Sequence, residues 1–278
     1  MPSGKIARFM KITGQYLGLL SLGMGLHACG LARKSNGCNV KANGLKLSGF
    51  SGENLGDKQL SLVFLKGPSN STEAIGELLK GEAVAATFFV KAAEIEGHEA
   101  ALDKLVEQGH RIATGGYSFT ALKSTEDPVI ELKAADKLLA PFAFGNQYWL
   151  YGETGSLDEK ARTQLNSAGL GKYIGPIHAD TDGAAFVDDE KCWEQNLSVS
   201  QCTLGYFDEI VRIGHGIVAF HDNDDRSREL LHELLPELIA YGFSFQRLDQ
   251  IPDLRLALTA AGGIPDAEKG AKVCNDYE

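Results

Sequence analysis

From residue 60 onward the chain switches between two patterns of apolar and polar positions. Strand-length segments rich in apolar residues occur at 60–64 (LSLVF), 84–90 (VAATFFV), 110–114 (HRIAT), 147–151 (QYWLY), 172–179 (KYIGPIHA), 216–221 (GIVAFH) and 243–248 (FSFQRL). Between them apolar residues recur at three- and four-residue spacing, which predicts helices. Residues 70–81 offer Ser71 as N-cap, Ile75, Leu78 and Leu79 on one face, and Gly81 as a stop. Residues 98–109 end at Gly109, and residues 127–142 open on Asp127 followed by Pro128 at the first helical position. A capping box, Ser156 with Glu159, opens 156–169. Residues 198–214 predict a helix that turns Leu204, Phe207, Ile210 and Val211 inward, and 227–242 a helix with Pro236 inside and Gly242 at its end. Residues 30–58 are rich in Gly, Asn, Lys and Ser, lack periodicity and read as a tether.

Continuous apolar strands joined by helices require a parallel sheet covered on both faces. The seven strand–helix units in one unbroken region suit a slightly open barrel better than an open sheet, α/β in class, occupying 59–278 as a single domain. Barrels of this kind carry function at the C-terminal ends of their strands. The informative positions are therefore 65–68, 91–94, 115–119, 152–155, 180–183 and 221–225.

The net charge of −10 argues against nucleic acid, which requires a basic face. Lys5, Arg8 and Lys11 precede a short apolar run at 17–26, well short of the ~20 residues of a spanning helix. The segment reads as an export signal over 1–28, and removing its three positive charges takes the body from −10 to −13. "LHACG" resembles a bacterial lipoprotein cleavage box, which implies that Cys29 is lipidated and anchors the protein at the membrane. A plain secretory signal is the alternative, and both export the chain. Setting Cys29 aside leaves Cys38, Cys192, Cys202 and Cys274. In an oxidising compartment these predict a local Cys192–Cys202 staple and a Cys38–Cys274 tie.

The strand ends resemble those of the polysaccharide deacetylases with a NodB-homology domain, over roughly 60–254, and the resemblance implies a deformed (β/α)7 barrel with parallel strands. The family's first motif, T-F-D-D-G-P, aligns with Val63-Phe64-Leu65-Lys66-Gly67-Pro68. Its base aspartate falls on Leu65 and its metal-binding aspartate on Lys66. "LVEQGHRIATGGYSFTAL" resembles the stretch that carries a His-x-x-x-His pair, here Gly115 and Phe119. The arginine of the third motif falls on Tyr148 in "YWLYG". Asp180 or Asp182 stands near the family's acidic position. The final apolar run ending in His-Asp is intact at His221-Asp222, where the family places its general acid.

This chemistry needs a divalent metal, zinc or another, to polarise an acyl carbonyl and activate water. The resemblance implies that its ligands are replaced at Lys66, Gly115 and Phe119, so no metal and no cofactor is expected. Lys66 is expected to pair with Asp180, Asp182 or Asp222. His221 is a residual acid or a structural histidine, with Asp222 and Asp180 as its candidate companions. Tyr117, Phe119, Trp149 and Tyr151 are candidate sugar contacts, against a reading as core. The aspartates of "HDNDDR" are expected to cap the following helix rather than hold a cation.

The expected protein is thus an exported, inactive relative that binds a cell-wall or other N-acetylated polysaccharide, such as peptidoglycan or N-acetylglucosamine oligomers. It touches the membrane only through a lipid. Two alternatives remain: an active N-deacetylase with a relocated site around His221 and Asp222, and an envelope scaffold with no glycan affinity.

Overall fold

The computed structural model describes residues 44–152, 157–181 and 188–268. The expected Cys29 lipidation, the Cys38–Cys274 pair, Ser156 and Asp182 lie outside them. Strands and helices alternate as β1 (Leu45–Phe50), β2 (Gln59–Leu65), α1 (Thr72–Gly81), β3 (Thr87–Val90), α2 (Glu99–Glu107), β4 (Arg111–Thr114), α3 (Pro128–Leu139) and β5 (Trp149–Tyr151). They continue as α4 (Glu159–Ser167), β6 (Ile174–Ile177), α5 (Asp189–Glu194), α6 (Val199–Ile213), β7 (Gly216–His221), α7 (Asp225–Tyr241), β8 (Ser244–Phe245) and α8 (Pro252–Ala260).

The strands form one sheet in the order β1-β6-β5-β4-β3-β2-β7, with β8 added beside β2. Every pairing is parallel. The sheet curls into the half-barrel expected of the deformed (β/α)7 class. Alternation along β2 shows how it is filled. Leu60, Leu62 and Phe64 face outward onto α1, α2 and α7, beside Ile75, Leu102 and Leu234. Val63 and Leu65 face inward, with Phe89, Ala113, Trp149, Ile177 and Ala219. Phe64 stacks on Phe88 at 4.7 Å between ring centroids, and Tyr206 of α6 stacks on Phe220 at 4.7 Å. Each such fully buried ring contributes about 1.5–3 kcal/mol.

Local signals explain the helix ends. Asp127 accepts hydrogen bonds from the Val129 and Ile130 amides, with Pro128 starting α3. Ser198 and Gln201 form a reciprocal capping box on α6. Asp158 caps α4. Ser71 makes no side-chain cap on α1 and instead hydrogen-bonds Asp225.

Three expectations are corrected. The tether is not unstructured throughout, because Leu45–Phe50 is a strand paired with β6. Leu204 is 59% exposed, while Cys202, Thr203, Tyr206 and Ile210 face inward from α6. The seventh run keeps only Ser244–Phe245 as strand, after which the chain turns into a short 3-10 segment at Leu248–Gln250.

Asp180 joins β6 to β7. Its backbone amide donates to the Ile217 carbonyl at 2.8 Å. Its Oδ2 accepts the Ile217 amide at 2.6 Å and the Gly52 amide at 2.8 Å. A Cβ on Gly52 would lie 2.6 Å from that oxygen, so only glycine fits. Asp180 is a seam of the barrel and not a free carboxylate at its mouth.

Candidate active-site cleft

The C-terminal ends of β2, β3, β4 and β7 open into a cleft of about 330 Å³, lined by Lys66, Pro68, Ser69, Lys91, Glu94, Ser118, Phe119 and Asn223. The β2 register places Leu65 opposite Phe89 and His221. Leu65 is buried in the barrel interior. Lys66 follows with φ 68°, a left-handed conformation uncommon for a residue with a side chain.

Asp222 holds this turn in place. Its Oδ1 accepts the Gly67 amide at 2.8 Å, and its Oδ2 accepts the Thr72 hydroxyl at 2.6 Å. The Ser69 hydroxyl donates to its carbonyl at 2.5 Å. A Cβ on Gly67 would come within 2.0 Å of Asp222 Oδ2. Burial pushes the Asp222 carboxyl up to about 6, against the hydrogen bonds from Thr72 and Gly67. With both oxygens engaged and 1% of the residue exposed, Asp222 is a structural carboxylate.

The partner of His221 is Asp189, the first residue of α5, and neither Asp180 nor Asp222. His221 Nδ1 donates to Asp189 Oδ1 at 2.6 Å, and its backbone amide donates to Asp189 Oδ2 at 3.0 Å. The Ser227 hydroxyl also donates to Asp189 Oδ2, at 2.5 Å. The Asp189 amide donates to the Tyr206 hydroxyl, which donates to the Ala219 carbonyl at 3.0 Å. Burial disfavours the His221 imidazolium, but the hydrogen bond and charge of Asp189, with the charge of Glu190, outweigh it and raise its pKa. His221 Nε2 lies 3.5 Å from Glu190 Oε2. That carboxylate also takes the Lys66 ammonium, which corrects the expected aspartate partner. Asn223 donates to Glu190 Oε1 at 3.3 Å. A continuous line thus runs Lys66–Glu190–His221–Asp189. Cys192, two residues beyond Glu190, has its sulfur 2.07 Å from that of Cys202 and joins α5 to α6.

On the β4 side Gly115 and Phe119 form one unit. A Cβ on Gly115 would fall 2.1 Å from Phe119 Cε2. The ring, held by a backbone at φ 62°, also packs 6.0 Å from that of Tyr151. The aromatic candidates separate. Tyr117 is 42% exposed at the rim, and Phe119 lines the cleft. Trp149 and Tyr151 are buried in the barrel interior, so both are core and not sugar contacts. Tyr148 faces away from the barrel, edge-on to Tyr173 and under the Lys172 ammonium. Of the "HDNDDR" aspartates, Asp224 caps α7 and pairs with Arg226, Asp225 accepts the Ser71 hydroxyl, and Asp222 holds the β2 turn.

Sequence reasoning missed Asp189 and Glu190. Their one signal is an acidic run, Asp188-Asp189-Glu190, ahead of Cys192 and Trp193. Asp188 caps α5, which makes the run look like an ordinary helix start.

Residues 52–172 match the polysaccharide deacetylase family. Solved structures share the fold. The catalytic domain of a peptidoglycan N-acetylglucosamine deacetylase from Eubacterium rectale has a TM-score of 0.57 at 19% identity, over 70% of this chain and 90% of that one. A peptidoglycan deacetylase from Bacillus subtilis has a TM-score of 0.57 at 18% identity, over 73% and 94%. A CE4 family pseudoenzyme from Bacillus anthracis has a TM-score of 0.55 at 16% identity, over 70% and 65%. No curated protein matches the chain. The barrel is that of the CE4 deacetylases, and residues 52–172 are similar to the polysaccharide deacetylase family.

Hydrolysis in that family depends on a divalent metal. Leu65, Lys66, Gly115 and Phe119 offer no carboxylate or imidazole, and an ammonium lies among them. Asp188, Asp189 and His221 bring one ligand atom each within 4.8 Å of one another. Yet both Asp189 oxygens are taken by His221 and Ser227, and His221 Nδ1 is spent on Asp189. In this arrangement the set is a hydrogen-bonded relay, and a divalent cation there would have to displace the His221–Asp189 bond.

Proposed function

We propose that this protein is a polysaccharide deacetylase-like member of the cell envelope that binds an N-acetylated glycan, such as peptidoglycan, without hydrolysing it. One observation carries the reading. Within the cleft, the Lys66 ammonium is paired to Glu190, and the Phe119 ring fills the space over Gly115. The cleft therefore presents a fixed cation and an aromatic face where hydrolysis would need a metal and its water. His221 with Asp189 supplies an acid, and an acid without an activated nucleophile completes no hydrolysis. Export rests on the basic and apolar N-terminal segment, and lipid anchoring on Cys29. No helix among the described residues is long and apolar enough to cross a membrane.

The grouping of Asp188, Asp189 and His221 favours a second reading, a hydrolase with a displaced cation. The two separate in one experiment on the purified protein: retention on insoluble peptidoglycan, alongside metal content and acetate release. Retention without acetate or stoichiometric metal supports the proposal. Metal with acetate release supports the second reading, and neither retention nor acetate leaves a scaffold.

A further inference from the structure

The structure assigns a recognition role to Lys66: its ammonium donates a hydrogen bond to the amide carbonyl of an N-acetylated sugar seated in the cleft. This rests on the glycan-binding reading and names the residue that sets its specificity. An ammonium carries three donors. Among the described residues, Lys66 Nζ has one hydrogen-bond partner, Glu190. The side chain is 33% exposed and lines the cleft, so its remaining donors face a ligand.

Three features hold the ammonium as a fixed donor. Its backbone is set in the left-handed region between the end of β2 and the Gly67 turn. Asp222 ties that turn through the Gly67 amide and Thr72. Glu190, which takes the ammonium, belongs to a helix joined to α6 through Cys192 and Cys202. A donor ordered in advance loses little freedom when it binds.

The surroundings select a neutral acyl group over an anion. Both lysines of the cleft are already matched, Lys66 by Glu190 and Lys91 by Glu94 at 2.9 Å. A carboxylate ligand would have to compete with these acids, whereas a carbonyl oxygen only accepts a hydrogen bond. Phe119 gives an apolar face for the acetyl methyl, and the Asn223 side-chain amide lies at the same cleft for ring hydroxyls. A free amino sugar has no acyl carbonyl to accept the Lys66 hydrogen bond, and its ammonium is only a donor.

The test is calorimetric binding of N-acetylglucosamine oligomers and of the fully deacetylated glucosamine oligomers to the full-length protein and to Lys66→Met. The wild type is expected to prefer the acetylated oligomer. Lys66→Met should weaken that oligomer by about tenfold or more, the loss of one charged hydrogen bond, and leave the deacetylated one no weaker. Lys66→Gln gives the same readout if Lys66→Met does not fold. Unchanged acetylated-oligomer affinity in the folded variant overturns the role of Lys66 and leaves the glycan-binding reading standing. Failure of the wild type to bind any acetylated oligomer overturns both.

Discussion

The ring of Phe119 lies where any side chain on Gly115 would have to go, 2.1 Å from a Cβ built there. The two positions are therefore one packing unit. Gly115→Ala alone should overpack the site and lower stability by about 1–3 kcal/mol. Combined with Phe119→Ala, the same change should cost less than the sum of the single losses. Chemical denaturation of the four-member cycle reads this coupling, and additive values would show that the ring does not fill that space.

Asp180 gives a prediction about stability rather than chemistry. Asp180→Ala leaves the Gly52 and Ile217 amides without their carboxylate acceptor. A loss of about 3 kcal/mol is expected in urea denaturation. An unchanged denaturation midpoint would remove Asp180 from the barrel seam.

The relay at the cleft predicts an order of pKa effects on His221, read by NMR titration of the imidazole. Asp189 raises that pKa through a hydrogen bond and its charge, and Glu190 through charge alone. Asp189→Asn should lower it more than Glu190→Gln. Lys66→Met should raise it, because the ammonium opposes the imidazolium. The reverse order would break the Lys66–Glu190–His221–Asp189 line.

Two buried groups give opposite pH dependences. Burial holds His110 down to about 4, with Nδ1 accepting the Ala86 amide and Nε2 against the Gly76 carbonyl. The unfolded chain binds this proton more readily, so stability is lost as pH falls from about 6.5 towards 4. Asp222, raised to about 6, works the other way, and stability is lost as pH rises from about 4 to 6. Thermal melts should therefore show His110→Gln gaining on the wild type as pH falls through this window. Asp222→Asn should gain on it as pH rises. Parallel profiles for all three proteins would contradict both assignments.

The inward and outward alternation of Leu60 to Leu65 made the parallel barrel legible, because a doubly covered strand is apolar on both faces. β1 was hidden for the opposite reason. LKLSGF buries only Leu45 and Phe50 fully, and its pairing with β6 is a distant contact that local composition cannot show. The cleft was half legible. Gly67, Pro68 and His221 marked its place, and Lys66 was seen to need an acidic partner. Glu190 and Asp189 went unseen because they reach the site from a separate helix that reads locally as a capped acidic turn. Trp149 and Tyr151 misled because an aromatic strand end looks alike whether it faces a cleft or fills a barrel.

The first motif alone is not expected to restore chemistry. Leu65→Asp with Lys66→Asp adds carboxylates beside an unchanged Gly115 and Phe119, and the double variant should release no acetate. Acetate release by it would show that the site does not involve those two positions.

The most direct test of the central claim is acetate release from N-acetylglucosamine oligomers and peptidoglycan by the purified full-length protein supplied with zinc, with bound zinc counted in the same sample. Binding of the glycan with no acetate above the protein-free control and no stoichiometric zinc is the predicted result. Zinc near one per chain with zinc-dependent acetate release would contradict it.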